Sequence, residues 1–186
     1  HLEVRANAPD AAEECIGHRA KVSARIQRII EEVQSFAWSL RPSILDDYGL
    51  EPALTRHIES VTKHSEIVFD FQSVTAEGAP PRLAGRIEVV LYRVAQEAIT
   101  NALRHSNATR AEILLFRDLQ HVRLLVEDDG QGFSLHDVDM KESREHLGLI
   151  GMRERVVMLG GDFAIETGDG EGTTVRTVIP LPEVDS

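Results

Sequence analysis

A single cysteine, Cys15, in 186 residues leaves no disulfide framework and no cysteine metal cluster. It fits a reducing, cytoplasmic setting. No run approaches the roughly 20 consecutive apolar residues of a membrane helix, and no stretch reads as a signal peptide. Gly-Lys-Ser and Gly-Lys-Thr are absent, which excludes a Walker A phosphate loop. Positive charge is scarce too. Twenty Lys and Arg face 31 Asp and Glu, for a formal net charge of −11. That balance argues against nonspecific DNA or RNA binding, which needs a basic surface. A nucleotide ligand stays open, because a local site can be cationic on an acidic protein. Hydrophobic residues make up 42% of the chain, enough for a core and against wholesale disorder.

Hydrophobic spacing sets the organisation. Pro9-Asp10-Ala-Ala-Glu13 predicts a helix start, with Asp10 as N-cap and Glu13 completing a capping box. Ile26, Ile29, Ile30, Val33, Phe36, Ala37 and Leu40 then recur at three- and four-residue steps, the seam of a coiled coil or bundle. A helix of that extent, about 45 Å long, implies a partner helix; packing along the globular domain is the alternative. Arg41-Pro42 ends it, since the residue before proline is pushed out of the α region. Beyond lie a helix from Leu50 to Lys63, a strand from Glu66 to Gln72 and a Gly/Pro-rich loop from Thr75 to Pro81. A long helix from Arg82 to His105 precedes paired strands at Arg110 to Arg117 and His121 to Glu127. The mixed-charge stretch from Ser134 to Leu147 reads as a flap. A helix from Gly148 to Leu159 and a hairpin of Phe163 to Thr167 with Thr173 to Ile179 complete the order. The expected fold is α+β, a two-layer α/β sandwich preceded by a long helix.

The chemistry concentrates in Arg93 to Arg110 and Val126 to Phe133. Glu97 and Asn101 lie four residues apart on one helix ridge, with Leu91, Val94, Ala98 and Ala102 on the core side. Two solvated polar residues would be the plain reading, but oxygen donors so aligned suit a hydrated Mg²⁺. Arg104 and His105 can neutralise phosphate charge or simply complement the helix dipole. Asp128-Asp-Gly130-Gln-Gly132 alone is ordinary turn chemistry. Beside the helix it becomes an acceptor for an exocyclic amine, its glycines admitting a close approach. Gly148 to Arg155 reads as a glycine-bracketed turn before a helix, offering backbone N–H groups to phosphate. Arg153 and Arg155 fit nucleotide contact and core salt bridges equally.

Glu97-Ala-Ile-Thr-Asn101 with Arg104-His105 resembles the N box of the Bergerat or GHKL ATP-binding fold. Asp128-x-Gly130-x-Gly132-Phe133 resembles its first glycine box, Gly148-Leu149-Ile-Gly151-Met152-Arg-Glu-Arg155 the second, and Gly170-Glu-Gly172-Thr173-Thr-Val175 the last. The wording GLIGMRERV and the segment from Leu40 to Leu50, LRPSILDDYGL, are similar to sensor histidine kinases of the nitrate-sensor and thermosensor subfamily.

That resemblance implies ATP and Mg²⁺ as cofactors, with Asn101 the metal ligand and Glu97 acting at the γ-phosphate. Asp128 would read adenine, Thr173 supporting it through a water, while Gly148, Leu149, Gly151 and Met152 would bind nucleotide. It divides the chain into residues 1–45 (second helix of the dimerisation and phosphoacceptor module), 46–62 (linker helix) and 63–186 (catalytic domain). The subfamily's phosphoacceptor histidine precedes an acidic residue. Only His136-Asp137 does so here, and it falls in the flap. His18 precedes Arg19, and His57 and His64 read as surface or linker residues. The first helix is therefore expected outside this chain. The implied protein is a homodimer through a four-helix bundle, membrane-bound only through a further sensor region, and phosphorylates a response-regulator receiver domain. A nucleotide-gated scaffold, another GHKL ATPase or a serine kinase of the anti-sigma type are the alternatives.

Overall fold

The computed structural model describes residues 43–134 and 144–182. The expected dimerisation helix, Cys15, His18, His136 and most of the flap lie outside the described residues. The elements are α1 (Ser43–Tyr48), α2 (Leu50–Thr62), β1 (Val68–Thr75), α3 (Gly85–Asn101), β2 (Arg110–Arg117), β3 (His121–Asp128), α4 (Arg144–Val157), β4 (Asp162–Thr167) and β5 (Thr173–Pro180). A π-helical turn, Ala102–Ser106, continues α3.

Alternation builds the sheet. In β2, Ala111, Ile113 and Leu115 are buried while Glu112 and Leu114 are exposed, and β3 repeats this with Val122, Leu124 and Val126. The strands run β1-β2-β3-β5-β4. Among the described residues, β1 and β2 pair in parallel and the other neighbouring strands are antiparallel. The inner face shares one core with Leu91, Val94 and Ile99 of α3 and Met152 and Val156 of α4. This is the expected two-layer sandwich, with a mixed sheet. β1 starts two residues later than predicted and ends three later, because it pairs along the whole of β2 to Thr75↔Arg117.

The 46–62 segment, expected as a linker, forms the end of α1 and all of α2, whose Leu45, Leu50, Ala53, Leu54 and Ile58 enter that same core. His57, expected at the surface, is half-buried and packs edge-on against Tyr92 of α3, ring centroids 5.9 Å apart. Burial lowers its pKa. The helical period placed it correctly on α2, but only the docking of α2 on α3 shows which side is covered.

Candidate functional site

The end of α3 meets the ends of β3 and β5 around a cavity of about 460 Å³. Of the predicted site residues, Asn101, Arg104, His105, Asp128, Gly132, Phe133, Leu149 and Thr173 line it. Glu97, Gly130, Gly148, Gly151 and Met152 do not. A larger cavity, about 790 Å³, opens at the other end of the sheet beside the start of α2, and none of these residues reaches it.

Local chain geometry places the first group. Glu97 and Asn101 sit one turn apart on α3, both half-buried rather than on an open ridge. The α-helix ends at Asn101 and widens into the π turn that carries Arg104 and His105, both exposed. Such turns splay side chains that an α-helix would stack, and they recur at functional sites. Ser106 is buried, and its hydroxyl donates to the Ala102 carbonyl at 2.7 Å. Asn107 then takes the left-handed conformation, φ 51°, that ends the helix.

Asp128 closes β3 opposite Thr173 of β5. It is only 9% exposed, and burial holds its carboxyl above the ordinary range, partly offset by the Gly130 N–H that donates to Oδ1 at 3.0 Å. Its neighbour has another task. Asp129 accepts from the Thr109 N–H (2.7 Å), the Thr109 hydroxyl (2.6 Å) and the Arg110 N–H (2.8 Å), which hold its carboxyl below the usual range. It clips the chain leaving the π turn to the acidic turn. Sequence reasoning passed over Asp129, although an Asp beside a glycine turn is a ready acceptor for nearby backbone N–H groups.

The glycine turns depart from expectation. Each of their glycines packs closely against neighbouring chain, and Gly132 does so while also lining the cavity. Gly132 has φ 62°, and a Cβ there would strike the Gly168 and Gly172 carbonyl oxygens. Gly172 has φ 73°, and a Cβ there would strike the Asp128 carbonyl oxygen. A Cβ on Gly130 would meet Ser106. Thr167, also unforeseen, fastens both turns: its hydroxyl accepts from the Phe133 N–H (3.1 Å) and donates to the Gly172 carbonyl (2.9 Å).

The second glycine box lies further inside its helix than expected. Gly148 and Gly151 lie inside α4, which begins at Arg144, so in this arrangement their backbone N–H groups are not a helix start aimed at phosphate. Gly148 lies where α4 passes Glu97, and an added Cβ would meet the Glu97 carboxylate. At Gly151 an added Cβ would be 3.1 Å from a guanidinium nitrogen of Arg155. Met152 is fully buried in the core. Only Leu149 of this group reaches the cavity.

Comparison with known proteins bears on the family and the fold. Two relatives, both named signal transduction histidine-protein kinase/phosphatase DegS, come from Brevibacillus brevis and Bacillus subtilis (strain 168). The first is 32% identical over 157 residues, covering 84% of this chain and 39% of its own length. The second is 36% identical over 142 residues, covering 76% and 36%. The chain thus spans less than two fifths of the length of either. Among solved structures, the mycobacterial sensor histidine kinase MprB aligns with TM-score 0.55 at 21% identity, over 72% of this chain and 95% of that one. The blue-light activated histidine kinase of Erythrobacter litoralis EL346 aligns with TM-score 0.54 at 23% identity, over 97% and 62%. At these identities the structural likeness establishes the fold alone. Residues 87–183, from α3 through the closing hairpin, match the family described as histidine kinase-, DNA gyrase B-, and HSP90-like ATPase, and the chain belongs to that family.

Proposed function

We propose that this chain is the ATP-binding catalytic part of a two-component sensor histidine kinase. The observation that carries the reading is the meeting of Asn101 with Asp128 and Thr173 across one cavity lined also by Arg104 and His105. Asp128 accepts the exocyclic amine hydrogen of adenine and would set acceptor against acceptor for guanine. Thr173, paired with it across the strands, supports that contact through a water. Arg104 and His105 donate to phosphate oxygens. The γ-phosphorus then loses its bond to the ADP bridging oxygen and gains one to an imidazole nitrogen, ADP leaving and the imidazole proton passing to a base. Glu97 is placed one turn from Asn101 to order that end.

The donor set fits Mg²⁺. Among the described residues, no three His, Cys, Asp or Glu side chains gather to hold a metal. An ion here would take Asn101 as its protein ligand and complete its shell with phosphate and water, as Mg²⁺ prefers. When bound, it would neutralise charge on the transferring phosphoryl group. The phosphorylated histidine and the response-regulator aspartate that receives the group belong to the larger protein and its partner. That protein would dimerise through a helical bundle and place this part in the cytoplasm.

Calorimetry with ADP and an ATP analogue, with and without Mg²⁺, tests the site. Mg²⁺-enhanced, adenine-specific binding is expected, with the Mg²⁺ increment lost in Asn101→Ala. Binding of GDP as tight as ADP would refute the role of Asp128. For the reaction, the full-length protein should acquire acid-labile phosphate from labelled ATP. Nucleotide binding without such phosphate would favour the scaffold reading.

A further inference from the structure

Gln131 sits at the tip of the acidic turn and has no part in the roles above. It makes four hydrogen bonds to two separate stretches of chain, residues 105–107 and Gly170. Its side-chain Nε2 donates to the His105 carbonyl at 2.7 Å. Its Oε1 accepts from Asn107 Nδ2 at 3.2 Å. Its backbone N–H donates to the Ser106 carbonyl at 2.7 Å, and its carbonyl accepts from the Gly170 N–H at 2.7 Å.

These bonds have a common sense. The last carbonyls of a helix lack partners within the helix. A π turn closed by a left-handed residue exposes His105 and Ser106 in this way, and both of these carbonyls are satisfied by one residue 25 or 26 positions downstream. Gln131 is a helix cap supplied from across the cavity. The capped turn is the one that carries Arg104 and His105, and the capping residue lies between Asp128 and the turn of Gly168–Gly172.

We propose that Gln131 is a positioning residue that fixes the phosphate end of the cavity relative to the adenine end. It acts through the π turn, holding Arg104 and His105 at one distance from Asp128. The inference rests on the nucleotide reading of the site. Glutamine suits the task because one amide both donates to His105 and accepts from Asn107. Lysine could only donate, and glutamate would set a carboxylate against the His105 carbonyl.

The test is displacement of a fluorescent ATP analogue by adenosine and by ADP from this chain, from Gln131→Ala and from Gln131→Met. In the wild type, ADP should bind more tightly than adenosine through its phosphates. Gln131→Ala should lower that ADP-to-adenosine ratio about tenfold, the effect of losing hydrogen bonds worth roughly 1.4 kcal/mol. Adenosine affinity itself should stay within about twofold. Gln131→Met, which keeps the side chain's length but neither of its hydrogen bonds, should lower the ratio as Gln131→Ala does. Equal weakening of adenosine and ADP would overturn the inference, because it would mark a general prop. So would an unchanged ratio. A wild-type chain that displaces nothing would instead fell the nucleotide reading beneath it, an outcome distinct from either.

Discussion

The glycines around Asp128 and those of α4 both belong to motifs that read as phosphate or nucleotide loops, yet they do opposite physical work. Gly132 and Gly172 hold left-handed backbone and interlock two turns carbonyl against Cα, so that any side chain would collide with the main chain. Gly148 and Gly151 are helical, and what stands where their side chains would be is the far end of a flexible residue, Glu97 or Arg155. The lesson is that a glycine's cost of replacement depends on what faces it. Backbone cannot yield. A carboxylate or guanidinium can, and its displacement then appears in function more than in folding.

Four substitutions and one titration press on that contrast. The largest effect is expected at Gly132→Ala, where left-handed strain and a main-chain collision add to about 3 kcal/mol or more of lost stability. Chemical denaturation measures it, and a loss below about 1 kcal/mol would mean the two turns can separate cheaply. Gly148→Ala should leave the denaturation midpoint nearly unchanged, since alanine favours helix by up to about 1 kcal/mol. It should still slow phosphoryl transfer in the full-length protein about 100-fold by moving Glu97, as small misplacements of reacting groups do. Wild-type turnover in that variant would remove Glu97 from the proposal.

The titration concerns Asp128, which the interlocked turns bury. Its folded pKa lies above the unfolded one, so the ionised carboxylate costs stability above the folded value. As pH falls through that raised value, the carboxyl protonates and this cost is relieved. Adenine meanwhile loses its acceptor. ADP affinity should therefore drop at a pH above the usual carboxylate range while the contribution of Asp128 to stability rises, and both responses should vanish in Asp128→Asn. Calorimetry across pH, with and without the substitution, reads both. A drop in affinity confined to the ordinary range near 3.8 would show that burial does not govern Asp128.

Two smaller effects calibrate the series. Gly170 has φ 78° with nothing near its would-be Cβ, so Gly170→Ala isolates the conformational cost at about 1 kcal/mol. Gly151→Ala reverses the sign: the exposed Arg155 can swing aside, and the helix should gain about 0.5 to 1 kcal/mol. A destabilised Gly151→Ala would show that Arg155 is held more firmly than its exposure suggests.

Much of the fold was legible in the chain. Two apolar segments flanking Asp118-Leu-Gln marked β2 and β3 as a strand pair, and the structure shows which alternate residues of each face the core. The i, i+4 spacing placed Glu97 and Asn101 on one ridge, and the first and last glycine boxes placed Asp128, Gly132 and Thr173 at the cavity. The start of α4 was misjudged because glycine tolerates a helix when close packing repays it, here against Glu97 of α3. Gln131, Asp129 and Thr167 escaped notice because their partners are 19 to 34 residues away or on another turn, and no local period records such pairings.

By itself the sequence determined which residue types could make a nucleotide site, their spacing along each element and which segments are apolar enough to form helix or strand. These are local quantities, set by backbone geometry within a few residues. Only the tertiary structure decided that α2 shares the core, that the glycine turns clasp each other, and that one glutamine caps the helix end across the cavity. Those depend on contacts between distant stretches of chain, whose energies arise only when the layers close.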